Sequence, residues 1–134
     1  GDVYKRQIVY QDIIDDLIEK AKANGNACSA VSCYETVVLT ENRTSGKEQI
    51  DRNRIVRVQT PQCYNYGLIK SLYEKADKDN REDFVYANIL AMNYGVEIYF
   101  SKGTNNNIKI TTKDDIALFR ALLYYINNAE GEEN

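Results

Sequence analysis

The sequence contains no histidine. That absence excludes Ser-His-Asp and Cys-His catalysis within these 134 residues, and every zinc site that needs an imidazole. Any chemistry here must use carboxylates, lysine, arginine, hydroxyls or a borrowed metal. Cysteine occurs three times, at Cys28, Cys33 and Cys63. An odd count without C-x-x-C spacing gives no zinc pattern. In an extended segment Cys28 and Cys33 point to opposite faces, so they do not converge on one ion and read as small strand residues. The N-terminus lacks an apolar core of signal-peptide length, which predicts free thiols in a reducing, cytoplasmic setting. No apolar run approaches the roughly 20 residues that span a bilayer. A strong excess of one sign of charge is also missing. Seventeen Lys+Arg against 20 Asp+Glu leave a net −3, which predicts neither a nucleic-acid partner nor a membrane anchor. The glycines at 25, 46, 67, 95 and 103 form neither G-x-G-x-x-G nor a P-loop.

What is present is an ordinary globular mixture, 43 % hydrophobic and 28 % charged, long enough to bury one core. Residues 1–7 match no period and read as a non-native leader. From Val9 to about Ala23, Ile14, Leu17, Ile18 and Ala21 fall on one helical face. Asp12, Asp15 and Asp16 lie early in it, and Lys20 and Lys22 late, as a helix dipole favours. Asn24-Gly25-Asn26 stops that helix. Ala27–Cys33 reads as a buried strand and Thr36–Thr40 as another. Glu41–Lys47 reads as a turn, and Gln49–Gln59 as a broken strand. Residues 34–58 thus form a hairpin-like arm.

Pro61, the only proline, predicts an extended Thr60 and the end of a strand. A helix carrying Leu68, Ile69, Leu72, Tyr73 and Ala76 follows, then a solvated break at 77–80. A second helix fits Glu82–Tyr94, stopped by Gly95. Val96–Phe100 reads as a short strand, 101–107 as a polar loop and 108–110 as extended. Thr112 and Asp115 make a capping-box start for a helix with Ile116, Phe119, Leu123 and Ile126 on one face. Residues from about 130 to 134 read as an acidic tail. Strands alternating with helices predict an α/β fold with a mostly parallel sheet.

Three strings carry the chemistry. They are Ile50-Asp51-Arg52-Asn53-Arg54, Arg57-Val58-Gln59-Thr60-Pro61-Gln62, and Asn106-Asn107-Ile108-Lys109-Ile110-Thr111-Thr112 followed by Asp114-Asp115. Their order and intervals resemble the 2-C-methyl-D-erythritol 4-phosphate cytidylyltransferases and the related ribitol-5-phosphate cytidylyltransferases. The likeness runs from about Ile8 to Ile126. It implies that residues 8–129 are the C-terminal portion of a Rossmann-like (GT-A-like) nucleotidyltransferase domain with a protruding β-arm. It implies CMP transfer from CTP, assisted by Mg²⁺, to a phosphorylated polyol, in a homodimer that exchanges arms. The implied polyol is methylerythritol phosphate, serving isoprenoid precursor synthesis. The alternative is a pentitol phosphate serving wall or capsule polymers. A reading of another class is an inactive, dimerising, phosphate-binding fragment.

The resemblance also implies roles. Lys109 would contact the substrate phosphate, and Arg52 would grip the same phosphate from the partner's arm. Thr36, following Glu35 where the family has Asp-Thr, and Thr60, before Pro61, would donate hydroxyls to the substrate. The sequence departs from the family in having no Gly-rich triphosphate loop, which implies no turnover by this chain alone. It also has Tyr34 where many members carry arginine, and Val85-Tyr86-Ala87 where they carry an acidic turn.

Overall fold

In the computed structural model, residues 10–82, 86–107 and 111–132 are described, without the side chains of 129–132. The leader at 1–7, the expected strand at 108–110 and the end of the tail lie outside them. The described residues form two compact units, one within 11–103 and one of residue 10 with those from 104 to 132.

The first unit starts with helix α1, Gln11–Asn24, whose buried face is Ile13, Leu17 and Ala21. This differs from the expected face by one position. Ile13 takes the place expected of Ile14, and Ile18 is left exposed. The i, i+4, i+8 line Ile13–Leu17–Ala21 gives the helix a narrow seam against the sheet. Gly25, at φ +88°, ends α1 in the left-handed region and turns the chain into β1, Asn26–Ser32.

Strand β1 is the centre of a three-stranded sheet. It pairs antiparallel with β4, Val56–Tyr64, and parallel with β5, Phe100–Lys102. The sheet is therefore mixed, not mostly parallel. Ala27 and its partner Cys63 pack with Leu17 and Ala21 on the α1 face. Tyr64, one residue on, faces the other side. There it joins the cluster of Leu72, Ala76, Leu90 and Ala91 from α2, Tyr66–Lys78, and α3, Ala87–Asn93. Burial pushes the Cys28 thiol up to about 11, so it is a packing group and not a nucleophile.

Both helices on this face end alike. Arg81 N–H bonds to the Ala76 carbonyl across Asn80 at φ +52°, and Val96 N–H to the Ala91 carbonyl across Gly95 at φ +78°. Helix α3 is shorter than the expected 82–94, and 83–85 lie outside the described residues. The strand expected at Val96–Phe100 starts only at Phe100. Before it, the buried Asn26 amide serves as strand neighbour. Its Nδ2 donates to the Glu97 carbonyl at 3.0 Å, and its Oδ1 accepts from Tyr99 N–H at 3.2 Å.

Short strands β2, Val37–Leu39, and β3, Glu48–Ile50, form a separate antiparallel pair, the expected arm. Its end falls earlier than 58. Val56, Arg57 and Val58 pair with Ser32, Val31 and Ala30, so they belong to the main sheet.

In the second unit, helix α4, Lys113–Glu132, starts at the expected capping box and runs through much of the expected tail. Thr112 Oγ1 accepts from Asp115 N–H at 3.2 Å, and Asp115 Oδ2 accepts from Thr112 N–H at 2.9 Å. Of the expected face, Phe119 and Ile126 are half-buried, while Ile116 and Leu123 are exposed.

Candidate functional site

The base of the arm is built from two short segments. On one side Cys33 is buried, and its thiol donates to the Glu35 carbonyl at 3.6 Å. On the other, a 3-10 turn spans Arg52–Arg54, capped by Asp51, whose Oδ1 accepts from Asn53 N–H at 3.0 Å. Arg52 crosses between the segments, and its Nη1 donates to the Tyr34 carbonyl at 3.0 Å. Ser32, Cys33, Tyr34, Arg52, Asn53, Ile55 and Val56 line a pocket there. Among the described residues neither Arg52 nor Arg54 has an ion pair with a carboxylate. Arg52 thus stands at the arm base without an ion pair among the described residues. Thr36 lies two residues beyond Tyr34 and is exposed.

Thr60 sits on β4, where the ladder is irregular. Cys28 pairs with Gln62 and Ala30 with Val58, so Ser29 alone faces Gln59, Thr60 and Pro61. Pro61 does not end the strand as expected. It lies in this bulge, where a residue without an N–H breaks no ladder bond, and β4 continues to Tyr64. The bulge abuts the end of β5. A Cβ on Gly103 would lie 2.7 Å from the Ala30 carbonyl oxygen and 2.8 Å from Gln59 Oε1. Only glycine fits there.

The structure therefore joins Arg52 to the 33–36 turn and puts Thr60 in a bulge on the adjoining strand. Lys109 lies outside the described residues. Sequence reasoning missed two features. One is the Tyr34–Arg52 pairing. The other is Lys102, whose ammonium pairs with Asp12 and whose N–H donates to Asp16 Oδ2 at 2.7 Å, tying β5 to α1. The Lys102 hydrogen bond holds the Asp12 carboxyl below the usual carboxylate range. Neither pairing leaves a local sequence signal, because the partners are far apart in the chain.

No group of three or more His, Cys, Asp or Glu converges among the described residues. No described helix is long and apolar enough to cross a membrane.

The sequence model described as "IspD: 2-C-methyl-D-erythritol 4-phosphate cytidylyltransferase" matches residues 4–125. The chain belongs to this cytidylyltransferase family. A ribitol-5-phosphate cytidylyltransferase of Lacticaseibacillus paracasei is 36 % identical over 120 residues, 88 % of this chain and 51 % of the relative. A 2-C-methyl-D-erythritol 4-phosphate cytidylyltransferase of Clostridium novyi is 34 % identical over 118 residues, again 88 % and 51 %. The crystal structure of the Thermus thermophilus 2-C-methyl-D-erythritol 4-phosphate cytidylyltransferase superposes with a TM-score of 0.75 at 23 % identity. It covers 87 % of this chain and 57 % of that one, and it shows the shared fold. The chain spans about half the length of the curated cytidylyltransferases it matches.

Proposed function

We propose that the chain is the C-terminal portion of a cytidylyltransferase that moves CMP from CTP to 2-C-methyl-D-erythritol 4-phosphate. The observation that carries this reading is Arg52. It lies in the first of the three family strings, on a pocket at the arm base, with its positive charge unpaired among the described residues.

The chemistry suits a chain without histidine. A phosphate monoester is already an anionic nucleophile, so no general base is required. One of its oxygens attacks the α-phosphorus of CTP in line. The bond to the β-phosphate oxygen breaks, pyrophosphate leaves with the electron pair, and a diphosphate linkage remains in the product. Catalysis then rests on positioning and charge neutralisation. Arg52 offers a planar fork of donors to the substrate phosphate, and Lys109 a point charge. Thr36 and Thr60 offer hydroxyl donors.

The arm has no core of its own. Every described residue from Tyr34 to Arg54 is exposed except Val37 and Ile50, which are half-buried. Two isolated strands need a partner to be stable. A second copy exchanging arms supplies one, and it would bring Thr36 and Arg52 to the partner's Thr60 and Lys109. CTP is the second substrate, held by a Gly-rich loop this sequence does not contain, so the chain by itself should show no turnover.

A second reading, ribitol 5-phosphate as acceptor, is favoured by the 36 % identity to the Lacticaseibacillus paracasei relative. The two are separated by pyrophosphate release from CTP in the complete enzyme, with each acceptor in turn. The higher kcat/KM is expected with methylerythritol phosphate. A higher value with ribitol 5-phosphate establishes the second reading, and turnover of neither acceptor contradicts both.

A further inference from the structure

Among the pocket residues outside the family strings, Tyr34 is the one aromatic. Tyr34 is 74 % exposed and lines the pocket beside Arg52, eighteen residues away in sequence. Its main chain is nonetheless fixed. Arg52 Nη1 holds its carbonyl at 3.0 Å, and the neighbouring Cys33 thiol holds the Glu35 carbonyl at 3.6 Å. Arg52 uses one of its five donors on that main chain, and a guanidinium keeps the rest of its fork for an anion. The pocket lining therefore includes a cationic fork and an exposed tyrosine whose backbone that same arginine anchors.

We propose that Tyr34 is the residue of this pocket that recognises the carbon chain of a phosphorylated polyol, while Arg52 takes the phosphate. An aromatic ring offers an apolar face to C–H groups and a phenol that both donates to and accepts from hydroxyls. A polyol phosphate presents all three chemistries and inorganic phosphate presents one. The inference rests on the phosphorylated-polyol reading above and adds to it the residue that tells a substrate from a bare phosphate.

The test is titration of the 134-residue chain with 2-C-methyl-D-erythritol 4-phosphate, ribitol 5-phosphate and inorganic phosphate, read by calorimetry. Tyr34→Ala keeps the carbonyl that Arg52 holds and removes only an exposed side chain, so the fold is retained. It should weaken both polyol phosphates by roughly 3- to 10-fold, the range of an aromatic contact, and leave inorganic phosphate unchanged. Tyr34→Phe should recover most of that loss, and Arg52→Ala should weaken all three ligands. Unchanged polyol-phosphate binding in Tyr34→Ala, or an equal loss for inorganic phosphate, overturns the role of Tyr34 and leaves the site reading standing. A wild-type chain that binds neither polyol phosphate overturns the site reading itself.

Discussion

Asp115 shows how much one side chain can organise. Its Oδ2 accepts from the Thr111 hydroxyl at 2.7 Å, from Thr111 N–H at 3.0 Å and from Thr112 N–H at 2.9 Å. These bonds favour the ionised form and draw the carboxyl from the ordinary 3.8 down to about 2. A carboxyl with a lowered folded-state value stabilises the structure above its unfolded value. That stabilisation is lost as pH falls through the folded value. The start of α4 should therefore fray between about pH 4 and pH 2, not near neutrality. Amide exchange at 112–116 should rise across that window and stay level in Asp115→Asn, which lacks the titrating group. A rise centred near pH 6 would contradict the cap. Thr112 and Asp115 were legible in the sequence because a capping box is local. Lys102 with Asp12 was not, since nothing in a sequence marks a pairing across 90 residues.

At the scale of elements, the periodic patterns located α1, α2 and α4, and the apolar runs located β1 and the arm. The misreadings fell where a side chain or a bulge stands in for regular pairing. Pro61 reads as punctuation only if β4 pairs without interruption, and the three-to-one bulge opposite Ser29 removes that constraint. Val96–Phe100 reads as a strand by hydropathy, but Asn26 satisfies Glu97 and Tyr99 with its own amide. Asn26 is 2 % exposed, and its loss leaves the Glu97 carbonyl and Tyr99 N–H without their side-chain partner. Asn26→Ala should lower the unfolding free energy by about 1–3 kcal/mol for the unmet groups, measured by urea denaturation. A change below about 0.5 kcal/mol, the scale of a neutral surface substitution, would show that the amide bridge carries no weight.

For the whole molecule, the family strings were legible as linear motifs, and three of the four residues that the family likeness singles out are described. Thr36 and Arg52 lie at the arm base, and Thr60 in the adjoining bulge. The pocket itself was not legible, because it arises when Arg52 crosses to the Tyr34 carbonyl, a contact made only by folding. The central claim is that Arg52 and Lys109 clamp one substrate phosphate across a shared site. Kinetics of the complete enzyme test it most directly. Each charge-assisted contact is worth about 1.5–3 kcal/mol, so Arg52→Ala and Lys109→Ala should each lower kcat/KM for the phosphorylated acceptor at least about tenfold. The KM for CTP should change little. Mixing the two single variants should restore part of the activity, because a shared site in a mixed dimer regains both side chains. Normal kinetics in Lys109→Ala, or a defect confined to CTP, would contradict the clamp.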